Sequence, residues 1–160
     1  MKIDIRRLED KDFSLLPDLF NDSCFYFRTK RPESLNEGRI KELVIGGNNS
    51  AFLIFIEEKV QGILSFEPCK FEPHSAILHF RLMNQDAMVD YIDEFRKFIY
   101  MFAKDRYSNI KARVYGFDDS GKEFCTLLSF EIEAVLKKHV YKFGEYHPLI
   151  IYSKDVETMR

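Results

Sequence analysis

Tryptophan is absent from this chain of 160 residues, and cysteine, proline and glycine are scarce, with three, five and seven copies. Because no repeat and no Gly- or Pro-rich linker divides the chain, we predict a single domain over residues 1–160. The cysteines, Cys24, Cys69 and Cys125, leave one thiol over in any pairing and form neither a CxxC pair nor a cysteine–histidine ligand set. We therefore predict a reducing, cytoplasmic setting and no metal.

The chain also lacks a strong charge of one sign and a long apolar run. Its 24 Lys and Arg against 26 Asp and Glu give a net charge of −2, which provides no field to attract nucleic acid or anionic lipid. No apolar run approaches the roughly 20 residues that cross a bilayer, and the charged amino-terminal segment lacks the apolar core of a secretory signal. We predict a soluble protein whose partners include neither nucleic acid nor a membrane.

What the sequence does contain is a succession of strand and helix patterns, in which 46% hydrophobic residues can form a sizeable core. Alternation predicts strands over 2–7, 51–58, 59–68, 75–82, 111–115, 132–141 and 146–153. Helical spacing predicts helices over 10–20 (opened by Asp10), 34–45, 88–103 and 120–128. The order β-α-α-β-β-β-α-β-α-β-β predicts a mixed α/β (α+β) fold, with a central, mostly antiparallel sheet and helices on both faces.

The most specific pattern lies in the carboxyl-terminal third. Residues 128–141 read LSFEIEAVLKKHVY and are followed by GEYH and IIYS, while IRRL opens the chain and Gly62 follows the first hairpin turn. Together these segments resemble the GCN5-related N-acetyltransferases (GNAT), and within them the branch that modifies ribosomal proteins, polyamines and amino-sugars. The resemblance covers nearly the whole chain. It implies transfer of an acetyl group from acetyl-CoA to a primary amine of a small molecule or of a protein N-terminus.

The resemblance also implies where acetyl-CoA is held. In the family a Gln/Arg-x-x-Gly-x-Gly/Ala loop binds the pyrophosphate, whereas residues 85–90 here read QDAMVD. Only the Gln fits, Met88 replaces a glycine, and two Asp bring negative charge toward an anionic ligand. The resemblance implies that the backbone of Phe80, Arg81 and Leu82, in the strand over 75–82, binds acetyl-CoA. It also implies cofactor binding by Asn84, Gln85 and Asp118.

Acyl transfer from a thioester to an amine needs a base for the ammonium proton and an acid for the leaving thiolate. We predict His79 as the base, because an unperturbed histidine has a pKa of about 6.5, with Glu67 beside it. Cys125 falls near the tyrosine that many members of the family use as the acid. The alternatives are a packed or surface histidine at 79 and a small apolar residue on a buried helix face at 125.

The connection between the first two helices lines the acceptor side in the family. By resemblance, Phe25, Tyr26 and Arg28 are predicted to bind the substrate, although a run of charge is more often a solvated face. A second hypothesis of a different class is a non-catalytic binding module that has kept the fold and lost acetyl-CoA. The acceptor and the oligomeric state, a homodimer included, are left open.

Overall fold

Seven strands and five helices occur in residues 2–160, the part of the chain that the computed structural model describes. The strands are β1 (Ile3–Arg7), β2 (Ser50–Ile56), β3 (Lys59–Pro68), β4 (Ser75–Leu82), β5 (Asn109–Tyr115), β6 (Glu131–Lys142) and β7 (Glu145–Asp155). The helices are α1 (Leu16–Leu19), α2 (Glu37–Ile45), α3 (Asp86–Asp90), α4 (Ile92–Ala103) and α5 (Asp119–Leu127), and short 3₁₀ segments cover Asp10–Leu15, Pro32–Ser34 and Val156–Met159. No helix among the described residues is long and apolar enough to span a membrane.

The chain divides into two compact units. The first comprises the chain up to Glu67 together with residues 79–87, and the second comprises residues 68–78 and 88–160. The strand order is β1-β2-β3-β4 in the first unit and β4-β5-β7-β6 in the second, so β4 contributes residues to both. The predicted mixed, mostly antiparallel fold is confirmed; the single domain over 1–160 stays a prediction.

In the first unit, β2 and β3 form a tight antiparallel hairpin. Glu57 and Glu58 form its turn with φ of 50° and 65°, the left-handed values that a two-residue type I′ turn requires. The register shifts by one residue near Ile54, which makes β3 bulge around Gln61 and Gly62. The Met83 amide donates to the Gln61 carbonyl at 2.7 Å, which fixes the end of β4 against this bulge.

The core of the first unit lies between this sheet and α1 and α2. It is built from apolar side chains that are almost fully buried, and their members on the helices and connection are Leu16, Leu19, Phe20, Phe25, Phe27, Ile40 and Val44. The Phe25 ring meets Phe20 edge to face, with centroids 5.0 Å apart. The prediction that Phe25 contacts the substrate is therefore not supported, because its side chain is used for packing.

The first predicted helix, over 10–20, is present over 10–19 but is divided into two short segments, and its cap is at another residue. The chain forms a 3₁₀ turn and then one α-helical turn at Leu16–Leu19, because Pro17 is tolerated only in a first turn. Glu9 rather than Asp10 is the N-cap, and its amide donates to Asp12 Oδ2 at 2.8 Å. The buried Asp12 carboxylate also accepts two hydrogen bonds of 2.8 Å from Arg6.

These contacts predict an acid-dependent contribution of Asp12 to stability. Hydrogen bonding from Arg6 lowers the pKa of Asp12 in the folded protein below the ordinary value of an aspartate. Asp12 therefore stabilises the folded state fully when the pH is above the ordinary pKa, and this stabilisation is lost as the pH falls through the folded pKa. We expect Asp12→Asn to unfold more easily at neutral pH by about 1–3 kcal/mol and to lose less stability on acidification. Urea unfolding measured from neutral to acid pH checks this, with the exposed Asp10→Asn as control. Parallel pH curves for the Asp12 variant and wild type would contradict it.

In the second unit, β4 pairs parallel with β5 through Ser75, Ala76 and Ile77. Strand β7 pairs antiparallel with all seven residues of β5 and, on its other side, with β6. Helices α4 and α5 contribute to its core, where the rings of Phe95 and Phe124 meet edge to face with centroids 6.4 Å apart. Residues 75–77 are thus the part of β4 that is tied to β5.

Two further helix predictions need correction. The long helix predicted without interruption over 88–103 is two helices, α3 and α4, because Tyr91 departs from helical geometry with φ −117° and ψ 20°. The helix predicted from residue 34 begins at Glu37, where Asn36 Oδ1 accepts from the Arg39 amide and caps the first turn. Apolar spacing does not register such a local change of backbone direction.

Candidate functional site

A carboxylate and an imidazole face each other in the first unit. Glu67 near the end of β3 and His79 in β4 lie 2.7 Å apart between Oε2 and Nε2. The His79 side chain is 14% exposed and that of Glu67 is 37% exposed, so the pair is shielded without being closed off. The two candidates for the proton-transfer step are therefore directly hydrogen-bonded.

Arg28 also contacts the carboxylate of Glu67. Its Nη2 lies 3.3 Å from Glu67 Oε2, and its Nη1 donates to the Leu43 carbonyl at 2.9 Å. The Arg28 backbone has φ 55°, a left-handed conformation that costs of order 1–3 kcal/mol in a residue other than glycine. The two hydrogen bonds anchor the guanidinium, and Glu67 is thereby held between Arg28 and His79.

The contact with Glu67 favours one tautomer of the His79 imidazole. A carboxylate at Nε2 favours the tautomer with the proton on Nε2 and leaves Nδ1 as the basic nitrogen. The same carboxylate stabilises the imidazolium that forms when Nδ1 takes a proton. The Phe27 ring stands edge to face against the imidazole, with centroids 6.1 Å apart. The cluster of Arg28, Glu67 and His79 has the geometry of a general base and its support.

A second cation lies on β4, two residues after His79. The Arg81 side chain is buried, its Nη2 donates to the Cys24 carbonyl, and its guanidinium carbon lies 5.4 Å from the centroid of the Tyr26 ring. Alternate residues of a strand point to one face, so Arg81 and His79 share a face of β4. The predicted substrate residue Tyr26 thus covers Arg81, and its role toward a substrate stays a prediction.

The direction of the backbone groups in β4 distinguishes among the cofactor candidates Phe80, Arg81 and Leu82. An ideal Cβ on Gly62 would lie 2.2 Å from the Arg81 carbonyl oxygen, so that oxygen is directed toward β3. Backbone groups of successive strand residues point to alternate edges, so those of Phe80 and Leu82 are directed to the edge away from β3. Phe80 and Leu82 therefore fit the predicted role along the cofactor better than Arg81 does.

The start of α3 carries the predicted phosphate contacts. Asn84 Oδ1 accepts from the Asp86 amide at 3.0 Å, so Asn84 acts first as a local cap. Gln85 is exposed beside it, Asp86 and Asp90 are exposed, and Met88 is buried. Met88 therefore does not project into solvent where a phosphate would bind, whereas the carboxylates remain unfavourable to an anionic ligand.

The two candidates in the second unit are engaged in structural contacts. Asp118 caps α5, its Oδ1 accepting from the Gly121 amide at 3.0 Å. Cys125 on α5 is 1% exposed, and burial, with a smaller contribution from the charge of Asp118, raises the pKa of its thiol to about 12. A thiol that holds its proton so firmly is a poor donor to a leaving thiolate, whose own pKa is several units lower. These observations disfavour Cys125 as the acid.

For the acetyl transfer that the resemblance implies, we therefore expect the kcat of Cys125→Ala to stay within about threefold of wild type, whereas loss of a proton-transfer residue lowers kcat by about 10²–10⁴-fold. None of the three cysteines among the described residues forms a disulfide, and Cys24 is the exposed one. Iodoacetamide should accordingly modify Cys24 in the folded protein and Cys125 only after unfolding. Peptide mass mapping before and after denaturation checks the labelling, and a loss of kcat above a hundredfold in Cys125→Ala would restore its catalytic assignment.

Sequence reasoning missed the contact between Arg28 and Glu67. It named both residues but gave them separate roles, one toward the substrate and one beside the base. Thirty-nine positions separate them, and no spacing rule for helices or strands connects residues so far apart. Only the fold of the connection after α1 brings the guanidinium to the carboxylate.

Comparison with known proteins identifies the family of this chain. The family model described as Acetyltransferase (GNAT) domain matches residues 5–150. No curated protein sequence matches the chain. A spermidine N-acetyltransferase from Vibrio cholerae, solved with CoA and spermine, is similar with a TM-score of 0.77 and 13% identity, over 98% of this chain and 97% of that one.

Two other solved structures show the same fold. A ribosomal L7/L12 alpha-N-protein acetyltransferase in complex with coenzyme A has a TM-score of 0.74 and 16% identity, over 97% of this chain and 94% of that one. An N-acetyltransferase from Staphylococcus aureus Mu50 has a TM-score of 0.76 and 14% identity, over 98% of this chain and 99% of that one. The chain belongs to the GNAT acetyltransferase family, since the family model matches most of its length. The prediction of an acetyl-CoA-dependent N-acetyltransferase is confirmed at the level of this family.

Proposed function

We propose that this chain acetylates a primary amine, on a small molecule or at a protein N-terminus, with the Glu67–His79 pair as its base. The observation that carries the proposal is the 2.7 Å hydrogen bond between Glu67 Oε2 and His79 Nε2, which leaves Nδ1 as the proton acceptor. Acetyl-CoA as co-substrate follows from the family, whose members transfer its acetyl group.

The proposed reaction begins with the acceptor as an ammonium ion. His79 Nδ1 takes a proton from it, directly or through one water, and the free amine attacks the thioester carbonyl carbon. A C–N bond forms, the C–S bond breaks, and CoA leaves as a thiolate. The imidazolium returns its proton to the thiolate, giving CoA thiol, and the second proton lost by the amine nitrogen passes to solvent, so one proton is released in each turnover. Glu67 stays ionised throughout and stabilises the imidazolium.

Arg28 acts through Glu67 in this proposal, as a positioning residue. Its guanidinium is anchored on the Leu43 carbonyl, so the carboxylate keeps one orientation toward His79. The buried Arg81 adds positive charge on the same face of β4. An acceptor that carries a carboxylate or phosphate besides its amine suits such surroundings better than one with several ammonium groups.

Acetyl-CoA binding is proposed on β4 and the start of α3. The backbone of Phe80 and Leu82 would lie along the pantetheine, with Asn84 and Gln85 near the phosphates. The exposed carboxylates Asp86 and Asp90 would weaken binding of the diphosphate without abolishing it, because backbone amides supply donors that need no particular side chain.

We also propose a cytoplasmic setting and no nucleic-acid or membrane partner. Three cysteines that form no disulfide among the described residues suit a reducing compartment. The net charge of −2 offers no general attraction to phosphate polymers or anionic lipid.

The proposed reaction is tested by release of free thiol from acetyl-CoA in the presence of amine acceptors. Spermidine, glucosamine, an amino acid bearing a phosphonate group and a peptide with a free N-terminal serine cover the acceptor classes. We expect thiol release that depends on one class, with the acetylated product identified by mass spectrometry and the Glu67→Gln/His79→Gln double variant as control. Absence of thiol release with every acceptor, together with absence of acetyl-CoA binding, would favour the non-catalytic module instead.

A further inference from the structure

The connection between α1 and α2 is attached to the sheet of the first unit by two arginines. Residues 21–31 of this connection form turns and bends rather than helix or strand. Arg28 in the connection reaches Glu67 near the end of β3. Arg81 in β4 reaches back to the Cys24 carbonyl. The reaction proposed above uses the first attachment and assigns no role to the second.

The charged end of Arg81 lies inside the protein. The residue is 4% exposed, and a guanidinium stays charged at every physiological pH. Removing a charge from water costs free energy unless hydrogen bonds and other favourable contacts replace the water. The contacts of Arg81 with the connection supply part of that compensation.

Arg81 holds the connection through a main-chain carbonyl and through an aromatic ring. Its Nη2 donates to the Cys24 carbonyl, which also accepts from the Tyr26 amide at 3.0 Å. A carbonyl oxygen has two lone pairs, so both are used here. The guanidinium carbon lies 5.4 Å from the centroid of the Tyr26 ring, within the range of a cation–π contact. Arg81 therefore fixes the backbone and a side chain of one turn together.

The turn over residues 22–26 has hydrogen bonds that are local. Asp22 Oδ1 accepts from the Cys24 amide at 2.8 Å, and the Asp22 carbonyl accepts from the Phe25 amide at 3.0 Å. A segment closed by a few local hydrogen bonds opens more easily than a strand or a helix of the core. The buried Phe25 ring anchors one side of the turn, and Arg81 anchors the other.

Arg81 and Arg28 hold different parts of the connection. Arg28 is anchored on the Leu43 carbonyl at 2.9 Å, independently of the turn. Loss of Arg81 should therefore release the turn and Tyr26 while Arg28 keeps its own anchor. Because Tyr26 is predicted to contact the substrate, we expect the release to affect acceptor binding more than proton transfer.

The contact with Arg81 also limits what the Tyr26 ring can bind. The face of an aromatic ring attracts a cation, but here a guanidinium already lies against the ring. A second positive charge near the ring is repelled by Arg81. Tyr26 is half-buried, so part of its ring remains accessible. An acceptor whose only ammonium group is the one that reacts avoids this repulsion, whereas a polyamine does not.

We propose that Arg81 is a positioning residue that holds the turn over residues 22–26 and thereby determines which acceptor is used. It favours amines whose remainder is neutral or anionic over polyamines. Arg81 acts through the Cys24 carbonyl and the Tyr26 ring, without touching the acceptor. The inference about the acceptor rests on the proposed reaction, whereas the positioning of the turn does not.

Hydrogen exchange followed by NMR tests the positioning without any reaction. Arg81→Met removes the charge and the donors but keeps an unbranched side chain, and Arg81→Lys keeps the charge without the planar fork. We expect the Phe25 and Tyr26 amides to exchange about tenfold faster in Arg81→Met than in wild type, and Arg81→Lys to be intermediate. Thermal unfolding identifies a variant that fails to fold, and Arg81→Lys then replaces Arg81→Met in the comparison.

The matched control for exchange is Arg39→Met in α2. The Arg39 side chain is 70% exposed and pairs with Glu42 on the same helix, so this variant should leave exchange in the turn unchanged. Unchanged protection of Phe25 and Tyr26 in the folded Arg81 variants would overturn the positioning role.

Steady-state kinetics test the effect on the acceptor. Wild type should have a higher kcat/KM for glucosamine or for an amino acid bearing a phosphonate group than for spermidine. In Arg81→Met the KM for the preferred acceptor should rise about tenfold, with kcat within about threefold and the KM for acetyl-CoA unchanged. The preference over spermidine should shrink by about fivefold or more. A purely structural role would reduce the amount of active enzyme, and so kcat, without this change in KM.

The outcomes separate this inference from the proposed reaction. A wild-type preference for spermidine, or an unchanged acceptor KM in Arg81→Met, would overturn the role of Arg81 in acceptor choice and leave the reaction intact. Absence of transfer to every acceptor would refute the reaction together with that role. The positioning of the turn is decided in either case by hydrogen exchange.

Discussion

Replacing His79 by glutamine is expected to lower kcat for acetyl transfer by about 10²–10⁴-fold, the contribution of a general base. The glutamine amide can still donate a hydrogen bond to Glu67, so the carboxylate keeps a partner, but the amide cannot accept the ammonium proton. The KM for acetyl-CoA should change little, because the imidazole acts on the acceptor. Steady-state kinetics against pH check both points: wild-type kcat should rise with pH as the imidazole loses its proton, and the variant should lose this limb.

The matched control is His74→Gln, which replaces an exposed histidine in the loop before β4. It should leave kcat and its pH dependence unchanged. Arg28→Gln separates positioning from catalysis, because the shorter, uncharged side chain cannot make the contacts of the guanidinium with Glu67 and the Leu43 carbonyl, whereas His79 is unchanged. It should lower kcat by less than His79→Gln and keep the pH-dependent limb. A loss below fivefold in His79→Gln would show that another group takes the proton.

Replacing Gly62 by alanine should be the most destabilising single-methyl change available near the site. A Cβ at Gly62 would lie 2.2 Å from the Arg81 carbonyl oxygen and 2.8 Å from a Leu82 methyl group. A backbone oxygen cannot rotate away, so β3 and β4 must separate locally, which costs roughly 1–3 kcal/mol or more. For a chain of this size the melting temperature should fall by about 3–10 °C, and activity should fall with it because His79 lies on the displaced strand.

Gly38→Ala also adds one methyl group, but we expect it to stabilise the protein. Gly38 lies in α2, and its added Cβ would meet only Asn36 Oδ1 at an ordinary 3.6 Å. Alanine should stabilise the helix by about 0.5–1 kcal/mol, because it loses less backbone entropy on folding. Differential scanning calorimetry of the two variants gives both values. A Gly62 variant as stable as wild type would mean that β3 and β4 are less closely apposed than the structure describes.

The sequence predicted the elements with strong periodicity and little else of the site. The alternation of residues 75–82 gave β4 with its observed bounds, and it placed His79 and Arg81 on one face. The spacing of Phe95, Ile99 and Ala103 identified α4, whose buried face they form. These predictions depend on apolar residues that recur with the period of a strand or a helix, and such a period can be seen in a single sequence.

The contacts that build the site depend on residues far apart in the chain. Arg28 meets Glu67, and Arg81 donates to the Cys24 carbonyl across 57 positions. Phe25 was predicted at the substrate by resemblance, because the connection between the first two helices lines the acceptor side in the family, whereas its ring is buried in the core. The break at Tyr91 depends on backbone geometry that apolar spacing does not encode. Each of these features is determined by tertiary packing or local backbone geometry, which the residue pattern of a single sequence does not record.

Binding of acetyl-CoA to this chain is the most direct requirement of the proposed reaction, and isothermal titration calorimetry measures it without any acceptor. We expect saturable binding with one site per chain, unchanged in His79→Gln and a few-fold tighter in Asp86→Asn/Asp90→Asn, since removing two nearby carboxylates reduces repulsion of the diphosphate. No heat at millimolar acetyl-CoA, for wild type and for the Asp86→Asn/Asp90→Asn variant alike, would contradict the assignment of an acetyl-CoA-dependent transferase to this chain.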